Sequence, residues 1–392
     1  MKVLMISSDR KIFDPDSPVR RRMMEYGAIF EQLHVIVFTK HSQGHTFTEI
    51  APNAWAYPTD SWMKLDYFHD AIRLAREQLV INGEFTPEVV SAQDPFETGL
   101  VGWLIARKFK RKLQLQVHTD FFDSFFLSQG SLNRVRRLLA GFLLPRAQCV
   151  RVVSERVKEY LEKHYSSLVG RIAVLPIHVD TEYYRDAKPR VDLHKKYPQF
   201  SFILLMVSRL TPEKYYPFAL EVFSKIHARY PRAGLIIVGS GPEERRIQQK
   251  ARELRISNAV VLEGWQEDIV SYYKTANLLL HTSRFEGYGM VFVEAAASGL
   301  PMVASDVGVA ASVARALPGS GICPVGDREC FVKQIFDFIE NNERRLYLRL
   351  NASGDVSLGG LLVQSKEEYL VAYANAMKAC FARPETSSKN VS

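Results

Sequence analysis

Residues 283–301 read Ser283-Arg284-Phe285-Glu286-Gly287-Tyr288-Gly289-Met290-Val291-Phe292-Val293-Glu294-Ala295-Ala296-Ala297-Ser298-Gly299-Leu300-Pro301. The apolar run before them, Asn277 to His281, has the length and composition of a buried strand, and the run after Gly289 is helical in character until Gly299 and Pro301 stop it. A strand, a glycine turn and a helix follow in that order. Glycines at 287 and 289 allow backbone dihedrals and close approaches that a side chain forbids. The free N–H groups of Met290 and Val291 then open the helix, and such an end attracts anions. Glu286 precedes the helix and Glu294 sits about one turn inside it. The two carboxylates either face one elongated polar ligand or are solvated acids in a capping turn. A phosphate at the helix start, with hydroxyl-rich groups on both sides, describes a nucleotide sugar.

Outward from this stretch the same alternation recurs. Val3 to Ile6, His34 to Phe38, Val89 to Ala92, Leu113 to Val117, Cys149 to Val153 and Ile172 to Leu175 are short apolar runs separated by segments long enough for helices, 18–32 and 66–81 among them. Such alternation predicts a parallel sheet covered by helices on both faces. A polar, proline-bearing stretch from Asp180 to Phe200 follows, with the junction placed near 176–185. Ser201 to Val207, Gly234 to Val238, Ala259 to Leu262, Asn277 to His281 and Pro301 to Ala304 then repeat the strand pattern, with helices expected at 216–229, 242–254, 267–275, 290–298 and 329–340. The expected fold is α/β, with two tandem Rossmann-like doubly wound domains, 1–180 and 181–364, facing a cleft. A last helix, 365–381, is expected to cross back to the first domain, and 382–392 reads as a disordered tail.

In doubly wound sheets ligands sit beyond the carboxyl ends of the strands, and several motifs occur there. Ser208-Arg209-Leu210-Thr211-Pro212-Glu213-Lys214 brings two cations, Arg209 and Lys214, to one strand end. A guanidinium and an ammonium at that edge can neutralise a diphosphate and stabilise it as a leaving group, unless both are simply solvated in a surface turn. Val238-Gly239-Ser240-Gly241-Pro242-Glu243-Glu244 marks a close backbone approach at the next strand end. It is a poor dinucleotide fingerprint, because Glu244 stands where a third glycine is required. Leu262-Glu263-Gly264-Trp265-Gln266 ends a further strand, with Trp265 either meeting a ligand or contributing to the core. In the first half, Val117-His118-Thr119-Asp120 closes a strand and puts an imidazole at its edge, in a structural or an active-site role.

The set resembles the retaining GT-B glycosyltransferases of glycosyltransferase family 4, which carry two glutamates around a Gly-aromatic-Gly turn, an Arg-Leu-x-x-Glu-Lys motif and a Val-Gly-x-Gly-Pro turn. The likeness is strong over 201–305 and weaker before 180. It implies that Glu286 holds donor-sugar hydroxyls and Glu294 the nucleotide ribose. Backbone groups around Gly287, Tyr288, Gly289, Met290 and Val291 then meet the diphosphate, and Arg209 and Lys214 offset its charge. Gly239 and Gly241 line the donor pocket, and Trp265 and Gln266 lie near the base. His118 faces the transferred sugar and the acceptor, with Asp120 on the acceptor side. The implied donor is a UDP-, GDP- or ADP-linked sugar and the implied acceptor a hydroxyl on a glycan, a lipid or a small molecule. No cofactor is expected, and no metal either, since the cations and the helix start take the part that Mg²⁺ plays elsewhere. The first loop, Ser7 to Arg20, departs from the family: it lacks the Gly-Gly turn and carries Arg10, Arg20 and, just beyond, Arg21, which bind an anionic acceptor or are solvated. Asp355-Val356-Ser357 also lacks the tryptophan common near the interdomain crossover. A nicotinamide oxidoreductase and a catalytically impaired nucleotide-sugar or glycan binder are the alternatives.

Bulk properties narrow the field less. At 392 residues two domains are the natural expectation. No apolar run is long enough to span a bilayer, and the N-terminus shows no cleavage-site pattern, so a cytoplasmic address is expected. The cysteines at 149, 323, 330 and 380 have no metal-ligand spacing and read as reduced thiols. A net charge of +8 and a pI near 9.2 favour anionic partners. Nucleic acid is not among those expected. The basic and apolar run Arg134 to Arg146 reads either as an amphipathic helix packed on a sheet or as a peripheral contact with an anionic membrane at its inner face.

Overall fold

The structure, a computed structural model, describes residues 1–77, 85–341 and 365–381. The expected tail 382–392 and the segment around Asp355 lie outside them. The chain divides into two compact α/β units. One comprises Met1–Pro176 with a C-terminal segment beginning at Ser365, and the other Ile177–Gln364.

The first unit is built on an eight-stranded sheet of order β3-β4-β2-β1-β5-β6-β7-β8. Its strands are β1 (Lys2–Ser7), β2 (Gln32–Val37), β3 (Thr48–Ala51), β4 (Ala54–Pro58), β5 (Val89–Ala92), β6 (Lys112–Val117), β7 (Cys149–Val152) and β8 (Ile172–Val174). All neighbours pair in parallel except β3 with β4. Val3 to Ile6 at the centre are fully buried, as a strand covered on both faces must be. Helices α1 (Pro18–Ile29), α2 (Asp66–Arg76), α3 (Glu97–Lys108), α4 (Ser124–Ser128), α5 (Ser131–Leu143) and α6 (Glu155–His164) connect them. Local chemistry sets their ends. Ser17 accepts from the Arg20 N–H with Pro18 at the first helical position, and Ser154 caps α6 in the same way.

The second unit has a six-stranded, all-parallel sheet of order β11-β10-β9-β12-β13-β14. Its strands are β9 (Phe202–Val207), β10 (Ala233–Val238), β11 (Val260–Gly264), β12 (Leu278–His281), β13 (Met302–Ser305) and β14 (Gly321–Cys323). Its helices are α7 (Thr181–Asp186), α8 (Leu193–Lys196), α9 (Tyr216–Arg229), α10 (Glu244–Glu253), α11 (Ile269–Thr275), α12 (Met290–Ala297), α13 (Ala310–Ala316) and α14 (Arg328–Glu340). The last described helix, α15 (Lys366–Lys378), opens with a reciprocal Ser365–Glu368 capping box. It packs within the first unit against α1 and β7, where Tyr373 stacks on Tyr26 at 4.1 Å.

Several features differ from the sequence reading. The segment between β2 and α2 is a hairpin, β3–β4, whose second strand extends the sheet beside β2. Its strands are too short for a periodic signal to stand out. The proline-bearing stretch after the junction carries two short helices, α7 and α8, each started by an aspartate cap, Asp180 and Asp192. The cysteines are not free thiols: Cys149 bridges Cys380 and Cys323 bridges Cys330, with Cα–Cα distances of 4.8 and 5.7 Å. The first bridge joins positions separated by 231 residues, which no spacing rule reveals. Finally, α5 buries Ala140 and Leu143 yet leaves Leu132, Val135, Leu138 and Phe142 exposed, so its apolar residues are shared between core and solvent.

Candidate functional site

Each sheet has one place where successive strands switch direction of growth. In the second unit it lies between β9 and β12, because the chain runs β9-β10-β11 to one side and β12-β13-β14 to the other. Loops leaving the carboxyl ends of those two strands diverge there and leave room for a ligand. The loop after β9 carries Arg209 and Lys214, and the loop after β12 carries Ser283 and Glu286.

The two loops meet through Glu286. Its Oε1 accepts from the Lys214 ammonium at 2.5 Å, from the Ser283 hydroxyl at 2.9 Å and from His281 Nε2 at 2.8 Å. His281, the last residue of β12, is buried and set edge-on to Phe292 of α12. Three donors converge on one carboxylate oxygen, and Oε2 has no protein partner among the described residues. Burial alone would push this carboxyl up. The His281 hydrogen bond and the Lys214 charge outweigh it and hold the pKa at about 2. His281 is in turn lowered by burial and stays neutral as a donor. Glu286 is therefore an oriented anion with one oxygen left for a ligand hydroxyl.

Beyond Glu286 the chain turns at Gly289, whose φ of +89° lies in the left-handed region, and α12 begins at Met290. A Cβ at 289 would stand 2.4 Å from the Phe292 ring, so both dihedral and space require glycine. Tyr288 is buried, which leaves its backbone rather than its ring to serve a ligand. Beneath the turn, Gly308 adopts φ +54° and packs against the Tyr288 carbonyl. Glu294, one turn into α12, accepts from the Tyr273 hydroxyl at 2.8 Å. Burial raises its pKa, opposed by hydrogen bonds from Tyr273 and Tyr184.

The remaining residues singled out from the sequence take varied positions. Arg209 is 80% exposed and only 3.7 Å from Glu213, so it projects outward while Lys214, 12% exposed, points inward. Gly239 and Gly241 do mark a close backbone approach, but to the preceding loop. A Cβ at 239 would lie 1.9 Å from the Ser208 carbonyl oxygen, and one at 241 would lie 2.5 Å from that of Leu210. Hydrogen bonds from Leu210 N to Ser240 O and from Glu243 N to Leu210 O lock the two loops together. Trp265 is 68% exposed, which removes the core alternative. Gln266 donates to the Glu263 carbonyl at 2.8 Å.

In the first unit His118 follows β6, and its Nε2 lies 3.2 Å from Gln116 Oε1. Burial, with Arg151 and Arg22 adding positive charge, lowers its pKa to about 3. Asp120 is raised by burial and accepts from the Phe122 N–H. In the first loop Arg10 donates to the Phe38 carbonyl and Arg20 to the Glu49 carbonyl, so both brace their own unit rather than standing free. Among the described residues no group of three or more His, Cys, Asp or Glu could hold a metal ion.

Sequence reasoning did not assign roles to His281, Ser283, Tyr273, Tyr184, Gln116 or Arg151. A polar residue ending an otherwise apolar strand, as His281 does in Leu278-Leu279-Leu280-His281, was the one available signal. The others are defined by what they touch.

Comparison with known proteins shows the family. The model of "Glycosyl transferases group 1" matches residues 193–354, and that of "Glycosyltransferase Family 4" matches 30–183. The chain belongs to the GT-B glycosyltransferases of family 4. It is 24% identical to an uncharacterized glycosyltransferase of Methanocaldococcus jannaschii over 58% of each chain. It is 26% identical to the alpha-monoglucosyldiacylglycerol synthase of Streptococcus pneumoniae over 60% of its own length. The chain spans 58% and 55% of the lengths of these two relatives. Its fold is that of sucrose-phosphate synthase from Thermosynechococcus elongatus, with a TM-score of 0.75, 18% identity and coverage of 97% and 99% of the two chains. It is likewise that of Anabaena HepE, solved with UDP and glucose, with a TM-score of 0.70, 18% identity and coverage of 97% and 100%.

Proposed function

We propose that this protein is a retaining, metal-independent glycosyltransferase that moves a sugar from a nucleoside diphosphate to an acceptor hydroxyl. The observation that carries the reading is the arrangement at the β9–β12 switch. A partly buried ammonium, an oriented carboxylate with one free oxygen and a helix opened by a left-handed glycine lie on adjoining loops. The N–H groups at the start of α12, with Lys214 and Arg209, receive the diphosphate. Glu286 Oε2 accepts a sugar hydroxyl, Glu294 reads the ribose, and Trp265 and Gln266 flank the base. As the bond from the anomeric carbon to the diphosphate breaks, the acceptor oxygen bonds to the same face and its proton passes to the departing phosphate oxygen. His118 and Asp120 order the acceptor and the transferred sugar.

UDP-sugars are the first donors to try, since the Anabaena structure holds UDP. Isothermal titration with UDP, GDP, ADP and NADH, followed by a donor-hydrolysis and transfer screen, tests the reading. Heat with one nucleoside diphosphate and turnover of its sugar supports it. Heat without turnover supports a catalytically impaired binder, and NADH binding alone overturns it.

A specific observation favours an acceptor presented at an anionic membrane. Leu132, Val135, Leu138 and Phe142 on α5 are exposed, with Arg134 and Arg137 exposed among them and Arg146 stacked on Phe142 at 3.7 Å. Such a face suits the interface of an acidic bilayer. No helix among the described residues is long and apolar enough to cross a membrane; the proposed contact is a peripheral one at the inner face.

A further inference from the structure

The buried polar side chains behind His118 form a chain whose hydrogen-bond directions are fixed at both ends. At one end Gln114 Nε2 lies 3.0 Å from the Ala376 carbonyl of α15, an atom that can only accept. The Gln114 amide therefore presents Oε1 inward, to the Ser91 hydroxyl at 2.9 Å, and Ser91 donates. Its oxygen then accepts from Gln116 Nε2 at 3.0 Å, as does the Tyr373 hydroxyl of α15 at 3.0 Å. At the other end stands Arg151, a guanidinium that can only donate, with Nη1 at 2.9 Å from Gln116 Oε1. It is buried, and its other contacts are neutral: the Leu175 carbonyl, the Tyr369 hydroxyl and the Tyr373 ring. Both ends thus give Gln116 the same orientation, oxygen toward Arg151 and nitrogen toward Ser91 and Tyr373.

That same oxygen lies 3.2 Å from His118 Nε2. An amide oxygen has no proton to offer, so the ring nitrogen facing it must bear one. We infer that Gln116, held by Arg151 and the C-terminal helix α15, locks His118 in the Nε2–H tautomer and leaves Nδ1 as a bare acceptor for a substrate hydroxyl. Gln116 and Arg151 are positioning residues. They dictate that His118 orders a hydroxyl by accepting its proton in a hydrogen bond rather than by donating one. Among the described residues the hydrogen bond of the His118 ring is the one at Nε2, to Gln116. Burial, with the positive charges of Arg151 and Arg22 beside it, opposes protonation, which keeps the Nδ1 lone pair available in neutral and mildly acidic solution. The role for Nδ1 rests on the glycosyltransferase reading, whereas the tautomer does not.

The test is a long-range proton–nitrogen spectrum of the full chain labelled with ¹⁵N-histidine, with His118 assigned by the signals lost in His118→Asn. The expected result is a single Nε2–H tautomer from pH 5 to 8. An Nδ1–H tautomer, or a ring that titrates in that range, overturns the inference. In Gln116→Glu the new carboxylate still accepts, so the tautomer should persist while the ring begins to titrate, adding an acid limb to the transfer-rate profile. In Gln116→Met the accepting oxygen is gone, so Nδ1–H should appear as a minor form in exchange with Nε2–H; a ring still wholly Nε2–H there overturns the role of Gln116. If the wild-type tautomer is as expected but His118→Asn transfers sugar at the full rate, the lock stands and the active-site reading of His118 fails.

Discussion

Lys214 Nζ lies 2.5 Å from Glu286 Oε1, although the two residues are 72 positions apart and leave different strands of the second sheet. Both are 12% exposed, so each charge depends on the other. Removing one charge of such a pair costs up to about 3–5 kcal/mol, and an isosteric amide limits the loss by keeping the shape and an accepting oxygen beside Lys214. Glu286→Gln should therefore fold, as judged by circular dichroism and a retained cooperative melt, yet lose transfer by about 100-fold for want of the oriented anion. Wild-type rates for this variant would remove Glu286 from the site.

The same pair makes stability fall in acid. Glu286 has a folded pKa of about 2, depressed from the usual 4.5, so its contribution is present above about 4.5 and is lost as pH falls toward 2. The shift corresponds to about 3 kcal/mol. His118 acts in the same direction: its folded pKa of about 3 lies below the ordinary 6.5, and protons bind preferentially to the unfolded chain as pH falls below 6.5. Denaturant unfolding from pH 7 to 3 should show a steeper acid loss in the wild type than in Glu286→Gln or His118→Asn. Parallel curves would contradict both assignments.

The exposed face of α5 makes a separate prediction. Leu138, 76% exposed, has little fold to support, so Leu138→Glu combined with Val135→Glu should leave the melting temperature within a few degrees of wild type. The pair should nonetheless abolish co-sedimentation with vesicles rich in acidic lipid. Binding that is equal for wild type and variant, or absent in wild type, counts against a membrane contact.

The cysteines offer a direct chemical check. Thiol titration of the denatured, unreduced protein should find no free thiols if both bridges are formed, against four in a fully reduced chain. Cys380→Ala should lower stability by about 2–4 kcal/mol, because it opens a long covalent loop between β7 and the end of α15. Four reactive thiols and an unchanged melt would restore the reduced state expected from the sequence.

Much of this protein is written locally. The helix expected at 216–229 is α9 with the same limits, the strand expected at Val89 to Ala92 is β5, and the strand–turn–helix around Gly289 is present. Periodicity, caps and glycine turns act over a few residues, so one stretch of sequence suffices to specify them. The same locality put Lys214 and Glu286 at strand ends. The short strands β3, β4 and β14 escaped because their few residues are stabilised mainly by neighbours in the sheet.

What the sequence by itself determined was the α/β alternation, the two units and the placement of the glycine-rich and charged motifs at strand ends. Only the tertiary structure decided that Lys214, Ser283 and His281 converge on one oxygen of Glu286 and that Arg209 stays exposed. It also decided that Cys149 meets Cys380 and that Gln116 orients His118. The reason is that a hydrogen bond or a disulfide is a matter of ångströms between atoms, set by how strands from distant parts of the chain come to lie side by side. Residue spacing carries no trace of that distance.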